Sequence, residues 1–181
     1  MPRMNRLAMA LIVSVLCCVV FTSSALAVSD SSKVVTYRLA VKFYRTSTWH
    51  WQKTALLKPV HSNYTERRTS NVTYLRWDAR LWRHRNVNAK KHALNIPHKG
   101  MWLCIHSGEA SWTDHASNNP HYGGLQMGPW FMSTYAPELH GTADKWPPLQ
   151  QMWVAENAYK REHYSPSWLS GQWPKTSPPC V

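Results

Sequence analysis

One carboxylic acid stands out in this sequence because of the residues around it. Glu109 follows a mainly apolar stretch, residues 101–106, that is typical of a helix, and Trp112 comes three residues later. After a polar loop the chain reads Tyr-Gly-Gly-Leu-Gln-Met over residues 122–127. A carboxyl group desolvated by apolar neighbours stays protonated near neutral pH and can donate its proton to a bridging sugar oxygen. The pattern therefore predicts general acid chemistry by Glu109.

The side chains that follow Glu109 are suited to binding a sugar beside that acid. Aromatic faces stack on pyranose rings, a side-chain amide can hold an acetamido or hydroxyl group, and paired glycines let backbone approach a ligand closely. We therefore predict a substrate site composed of Trp112, Tyr122, Gly123, Gly124, Gln126 and, farther along the chain, Asp144.

A second catalytic carboxylate is less clearly indicated. Glycosidases that use two carboxylates keep them about 5 to 9.5 Å apart. Asp114 is the nearest candidate in sequence and Asp144 is a distant one, although either residue is more commonly a loop cap or a surface charge. The histidines show no metal-binding spacing such as HExxH, and we predict neither a metal nor another cofactor.

The elements expected to position this chemistry are helices. The helix before Glu109 should end near that residue, and Gly123-Gly124 permits a short strand or turn over residues 125–127. Pro147-Pro148 predicts the start of a helix over residues 149–163, with one side formed by Leu149, Met152, Trp153, Glu156 and Tyr159. The chain should then finish as an extended tail through Trp173-Pro174 and Pro178-Pro179. We predict a mainly α fold, with 100–181 as its second domain.

The first part of the predicted mature chain, residues 28–99, differs sharply in charge. It carries 15 Lys and Arg against 3 Asp and Glu, whereas residues 100–181 carry 4 against 6. We expect residues 28–42 to be an exposed tether with strand character near 34–39. Residues 69–94 should form an amphipathic helix with Leu75, Ala79 and Trp82 on one face and Arg76, Arg80 and Arg83 beside it.

The function of this basic part has two interpretations. Residues 49–51 and 64–68 are expected to form a turn or helix against the amphipathic helix. The arginine face, within residues 67–91, could bind anionic wall polymers. Alternatively, it is a solvated face of a helix whose Leu and Trp side packs on the catalytic part.

The first 27 residues have the pattern of a secretory signal. Arg3 and Arg6 precede an apolar run over residues 7–21, and Ala25-Leu-Ala27 is a small-residue cleavage site. Cleavage there leaves Cys104 and Cys180 in a protein exported to an oxidising compartment, so a disulfide is expected. Secretion argues against a nucleic-acid partner and for a location outside the cell or in the cell wall.

Several of these residues together resemble a known family. The C-terminal part resembles the transglycosylase-like domain of the resuscitation-promoting factors, which are secreted actinobacterial proteins that cleave peptidoglycan. The resemblance covers about residues 100–181 and is carried by Cys104, Ile105, His106, Glu109, Trp112, residues 122–127, residues 141–144, Gln151, residues 154–156, Trp173, Pro174 and Cys180.

This resemblance implies a compact lysozyme-like helical domain acting on the β-1,4 bond between N-acetylmuramic acid and N-acetylglucosamine. Glu109 would be the catalytic residue, and a partner cell-wall hydrolase could accompany the protein. The same Glu could act as acid and then as base, so that a 1,6-anhydro product leaves, as in lytic transglycosylases; simple hydrolysis, as by a muramidase, is the alternative. Residue 156, within Val-Ala-Glu, should be a buried ion-pair or hydrogen-bonding residue.

Three alternatives remain at the level of sequence. Family members often carry Glu directly after the cysteine in Cys-Glu-Ser-Gly-Gly, and that alignment would put His106 in the acid's place and make the domain inactive. The domain could then bind wall glycan without cleaving it. A third hypothesis is that residues 28–99 make the protein a cationic, membrane-active one.

Overall fold

The fold is mainly helical, as predicted. A computed structural model describes residues 29–62, 68–115 and 120–181, so the predicted signal segment and residues 64–67 lie outside the described residues. Six α-helices are described: α1 Asp30–Thr54, α2 Val72–Leu94, α3 Lys99–Gly108, α4 Pro129–Tyr135, α5 Pro148–Arg161 and α6 Pro166–Gln172. Two short 3₁₀ helices span Ala143–Lys145 and Pro178–Cys180.

The basic part of the chain forms a long pair of helices. Prediction of a tether with strand character over residues 28–42 was wrong, because α1 begins at Asp30, where the Ser29 side chain accepts a hydrogen bond from the Ser32 backbone. The predicted amphipathic helix over residues 69–94 is confirmed as α2, which starts after the Asn71 cap.

The two helices pack on each other through a small core of their own. Val41 of α1 and Ala79 and Trp82 of α2 are buried together, and the Trp49 ring meets the Trp82 ring edge to face. The Trp side of α2 therefore packs on α1, and the prediction that it packs on the catalytic part was wrong. The arginines at positions 76, 80 and 83 are exposed, as predicted.

The larger core joins the C-terminal ends of these two helices to the rest of the protein. Ala55, Ala93 and Ile96 belong to the same buried cluster as Trp102, Ile105 and most of α5. The indole nitrogen of Trp153 donates a hydrogen bond to the Ala93 carbonyl at 2.9 Å. Because an indole N–H needs a partner when buried, this bond ties α5 to the end of α2.

The tail through Trp173-Pro174 and Pro178-Pro179 was predicted to be extended, and that prediction was wrong, because Pro178–Cys180 forms a 3₁₀ helix. α6 was not predicted; Pro166 stands at its start, where a fixed φ and a missing N–H cost nothing. No helix among the described residues has the length and apolar character needed to cross a membrane. The predicted disulfide is present between Cys104 and Cys180, with their Cα atoms 5.6 Å apart.

Candidate active site

Glu109 lies where the sequence predicted, at the residue that ends α3. Its backbone N–H donates to the His106 carbonyl at 3.1 Å, which closes the last turn of the helix. The side chain is half-buried, and its Oε1 accepts a hydrogen bond of 2.5 Å from the Thr176 hydroxyl. The other carboxylate oxygen, Oε2, receives no hydrogen bond from the residues that the structure describes. One oxygen is thus fixed by the protein and the other is available to a ligand.

Thr176 reaches Glu109 because the chain after α6 folds back onto α3. Trp173 is buried, and its indole nitrogen donates to the Leu125 carbonyl at 2.8 Å. The Cys104–Cys180 disulfide then fastens the same segment to α3. The returning segment packs closely on the end of α3, because a Cβ added to Gly108 would lie 2.7 Å from the Thr176 methyl carbon. Sequence reasoning missed Thr176, since it is 67 positions from the acid and belongs to no motif.

His106 is positioned by packing rather than presented as a reactive group. Its ring stacks on Trp112 with centroids 3.8 Å apart, and its Nδ1 is 3.1 Å from the Gly124 carbonyl oxygen. A histidine held between an indole and a backbone carbonyl orients the loop that follows α3. This geometry favours Glu109 over His106 as the acid.

Gly123 and Gly124 let the backbone of the turn approach other groups closely, but those groups are parts of the protein itself. A Cβ on Gly124 would lie 2.6 Å from His106 Nδ1 and 2.6 Å from the Trp112 ring. A Cβ on Gly123, whose φ is +72°, would overlap the Gln151 side-chain oxygen. Both glycines are buried. Their predicted contact with substrate stays a prediction, while their role in packing the site is evident.

Gly124→Ala should therefore destabilise the protein by at least about 2 kcal/mol, because neither ring that faces the new methyl group can move without breaking the His106–Trp112 stack. The measurement is the free energy of unfolding in urea. Gly171→Ala is the matched control, since Gly171 lies in α6 and a methyl group added there would meet no heavy atom within 4 Å outside its own helix backbone. Equal stability of the Gly124 variant and the parent would contradict the packing described.

Gln151 holds three segments of the site together and was not among the predicted site residues. Its side-chain oxygen accepts from the Gly124 backbone N–H at 2.9 Å. Its amide nitrogen donates to the Trp112 and Trp146 carbonyls at 2.8 and 2.9 Å. A fully buried amide with all these bonds satisfied fixes the Gly-rich turn against the loop after Glu109.

Gln126 is the predicted sugar-binding residue with the most unusual backbone. It has a φ of +48°, and its amide nitrogen donates to Asp114 Oδ2 at 2.9 Å and to the Gly123 carbonyl at 3.0 Å. Left-handed backbone at a non-glycine residue costs about 1 kcal/mol or more and is enriched at functional sites. Of the predicted short strand or turn, the structure has the turn, which is closed by the Tyr122–Met127 pair.

A groove of about 230 Å³ borders this turn. Gln126 lines the groove together with aromatic side chains and a second glutamine. The other lining residues are His121, Met127, Gly128, Pro129, Trp130, Phe131, Gln172 and Trp173. Glu109 does not line the groove. Tyr122 is half-buried, and its ring is tilted against His115 at 5.2 Å. Gln126 is therefore the residue that links the groove to Asp114 and to the loop after Glu109.

Asp144 is buried and committed to its neighbours. It accepts a hydrogen bond from the Thr142 hydroxyl, and its Oδ2 is 2.9 Å from the Lys145 ammonium. Burial by itself raises the pKa of this carboxyl, but the bonds from Thr142 and Lys145 and the charges of Lys145 and His115 together hold the pKa below its usual value. The residue is thus held as a structural anion, and its contact with substrate stays a prediction.

Asp144→Asn should lower stability at neutral pH by about 1 to 2 kcal/mol, because the buried carboxylate loses its charge-assisted contacts with Thr142 and with the exposed Lys145. A depressed native pKa stabilises the fold above the unfolded-state value of about 4 and loses that effect as pH falls through the native value. The gap between variant and parent should therefore shrink in acid. Thermal midpoints from pH 7 down to pH about 2 measure it.

The control is Asp30→Asn, which removes an exposed carboxylate paired with Lys33 at 3.1 Å and should change little. A stability gap at Asp144 that did not depend on pH would contradict an ionised, partnered carboxylate.

Glu156 is the fully buried acid of α5, and its predicted structural role is confirmed. Its Oε2 accepts from the Trp102 indole at 2.9 Å, and both its oxygens are 3.1 Å from His98 Nδ1. These contacts connect α5 to the start of α3, the helix that carries Glu109.

The comparisons with known proteins add no neighbour from which a role could be transferred. No known family, curated protein or solved structure matches this chain. Among the described residues, no group of three His, Cys, Asp or Glu side chains is arranged to hold a metal ion. The function must be argued from the site itself.

Proposed function

We propose that this protein is a secreted peptidoglycan glycosidase in which Glu109 is the general acid. The observation that carries the proposal is the Glu109–Thr176 hydrogen bond. The Thr176 hydroxyl holds Oε1, and Oε2 accepts no hydrogen bond from the described residues, so Oε2 is the oxygen left to meet a substrate. A half-buried carboxyl group with one oxygen held and the other without a described partner suits protonation of a glycosidic oxygen.

The Gly-rich turn and the groove that it borders support a carbohydrate substrate. The turn is held by Gln151 and by the His106–Trp112 stack, so the site is built on fixed elements. The groove beyond Gln126 has aromatic walls formed by Trp130 and Phe131, with the amide of Gln172 at its edge. Apolar faces combined with side-chain amides suit pyranose rings that carry acetamido groups.

The reaction then follows from a single carboxyl group. Glu109 gives its proton to the oxygen that joins C1 of N-acetylmuramic acid to the next sugar, the C1–O bond breaks, and positive charge develops at C1. The resulting carboxylate takes the proton of the sugar's own C6 hydroxyl as that oxygen bonds to C1. An anhydro sugar leaves, and Glu109 regains its proton.

The alternative carboxylates support this single-acid route over a two-carboxylate one. Asp144 contacts Thr142 and the exposed Lys145, and Asp114 Oδ2 accepts from the Gln126 amide. Use of Oδ2 of either residue as a base would compete with its existing contact, whereas the single-acid route needs neither carboxylate. We accordingly propose anhydro-forming cleavage in cell-wall remodelling.

The experiment is digestion of purified peptidoglycan by the oxidised protein, followed by mass analysis of the soluble fragments. We expect muropeptides whose mass is lower by one water than that of the hydrolysis products. Fragments at the full hydrated mass would replace the anhydro route with hydrolysis. Absence of any fragment, with the protein still bound to the sacculi, would favour the glycan-binding module over the enzyme.

A further inference from the structure

The outer side of α1 carries an apolar stripe that no described residue covers. Val35, Leu39 and Phe43 recur every four residues and are 56%, 61% and 65% exposed. At 100° per residue they lie opposite Val41 and Thr48, the buried residues that face α2. Exposed side chains of this size aligned on one helix face mark an interaction surface, whereas scattered ones do not.

This stripe continues into a groove at the C-terminal end of α1. Leu39, Phe43, Thr46 and His50 line its first section. Thr46 and His50 are shared with a larger section of about 970 Å³ whose walls include Leu56, Leu57, Pro59 and Leu139. We call the whole surface, from Val35 to this groove, the α1 outer face. Apolar side chains lie at both ends of this surface, and Thr46 and His50 lie between them.

Charge indicates what this surface contacts. Lys42 lines the first section of the groove, and Lys53 and Lys58 line the second. All three lysines are exposed, and Glu138 is the acidic residue in the same lining. Lysines beside an apolar track can bury their methylene stems while the ammonium groups reach outward to negative charge.

We propose that the α1 outer face binds the anionic surface of a lipid bilayer. Phe43, Leu39 and Val35 would enter the boundary between headgroups and acyl chains, and Lys42, Lys53 and Lys58 would contact lipid phosphates. A second copy of this chain fits less well, because two such faces would bring lysine against lysine. The excess of 15 basic over 3 acidic residues in 28–99 points to the same anionic partner.

This inference does not depend on the glycosidase proposal, and its test does not measure cleavage. The secreted protein is mixed with sucrose-loaded vesicles, either of pure phosphatidylcholine or containing about one third phosphatidylglycerol, and the pelleted fraction gives a partition coefficient. We expect partition into the anionic vesicles to be at least about tenfold stronger and to weaken as salt is added.

Two pairs of substitutions separate the α1 outer face from exposed apolar area in general. L39S/F43S should reduce partition into anionic vesicles by at least about tenfold. W77S/V87S removes two side chains of α2 that are 55% and 56% exposed and should leave partition within about twofold of the parent. Thermal midpoints of both variants, measured without lipid, establish that each is folded.

The remaining outcomes decide against the proposal. Equal vesicle binding by L39S/F43S and the parent would mean that charge alone holds the protein, as expected for an anionic wall polymer. A concentration-dependent dimer of the parent that L39S/F43S converts to a monomer, without vesicles, would assign the face to a second copy. Failure of the parent to bind phosphatidylglycerol vesicles at low salt would also overturn it.

Discussion

Glu109→Gln is expected to lower the rate of peptidoglycan cleavage by a factor of about 10² to 10⁴, the range that general acid catalysis contributes. Glutamine has nearly the same shape and keeps an oxygen that can accept the Thr176 hydroxyl, so the site should remain assembled. It has no proton acidic enough to give to a glycosidic oxygen. The loss should therefore appear in the rate of cleavage and leave binding to sacculi intact.

The measurement is clearing of a peptidoglycan suspension, with sedimentation of the protein on intact sacculi as the binding assay. Glu138→Gln is the matched control, because it makes the same substitution at an exposed carboxylate outside the Glu109–Thr176 pair and should clear the suspension like the parent. Undiminished clearing by Glu109→Gln would remove Glu109 from the mechanism. Thermal midpoints of both variants exclude a loss of activity through unfolding.

Cys180→Ser is expected to destabilise the protein by about 4 kcal/mol, because the disulfide closes a loop with a sequence separation of 76 residues. The effect should extend to activity. The Cys104–Cys180 bond fastens to α3 the segment that carries Thr176, and a loosened segment no longer holds Oε1 of Glu109. Calorimetry and the clearing assay on the same samples measure the two effects.

Thr176→Val separates these effects, since it removes the hydroxyl and leaves the disulfide in place. It should reduce the rate while changing stability less than Cys180→Ser does. Addition of a thiol reductant to the parent should reproduce the Cys180→Ser result. The same reductant should leave the Cys180→Ser variant unchanged, because that variant has no disulfide to reduce. If the reduced and the oxidised parent had the same thermal midpoint, a structural role of the Cys104–Cys180 disulfide would be contradicted.

The two helices that sequence predicted well were recognised in different ways. In α2 the apolar residues Leu75, Ala79 and Trp82 recur with a 3.6-residue period and form its buried side. The start of α5 was marked by proline, and the helix is buried on nearly all sides, at residues 150–156, 158 and 159. The period of α1 was hidden because Val35 and Leu39 form a second apolar stripe opposite the one that packs on α2. Two stripes on opposite faces leave no amphipathic pattern, and adjacent valines suggested a strand.

In the candidate site, local features were predictable and distant contacts were not. Glu109 at the end of a helix and the Cys104–Cys180 pair follow from residue type and count. The partners that complete the site, Thr176 and Gln151, come from segments far along the chain. Paired glycines signalled close approach correctly, but only three-dimensional packing reveals that protein rings and an amide occupy the space beside them.

The Glu109–Thr176 contact also has a consequence for when the protein becomes competent. A polypeptide that crosses a membrane amino end first delivers Thr176 and Cys180 after every other residue of the site, and the bond to Cys104 forms only where thiols are oxidised. The acid would thus acquire its hydroxyl partner late and outside the cell. If the protein is exported and cleaves peptidoglycan as we propose, such an order of assembly spares the producing cell from premature attack on its own wall precursors.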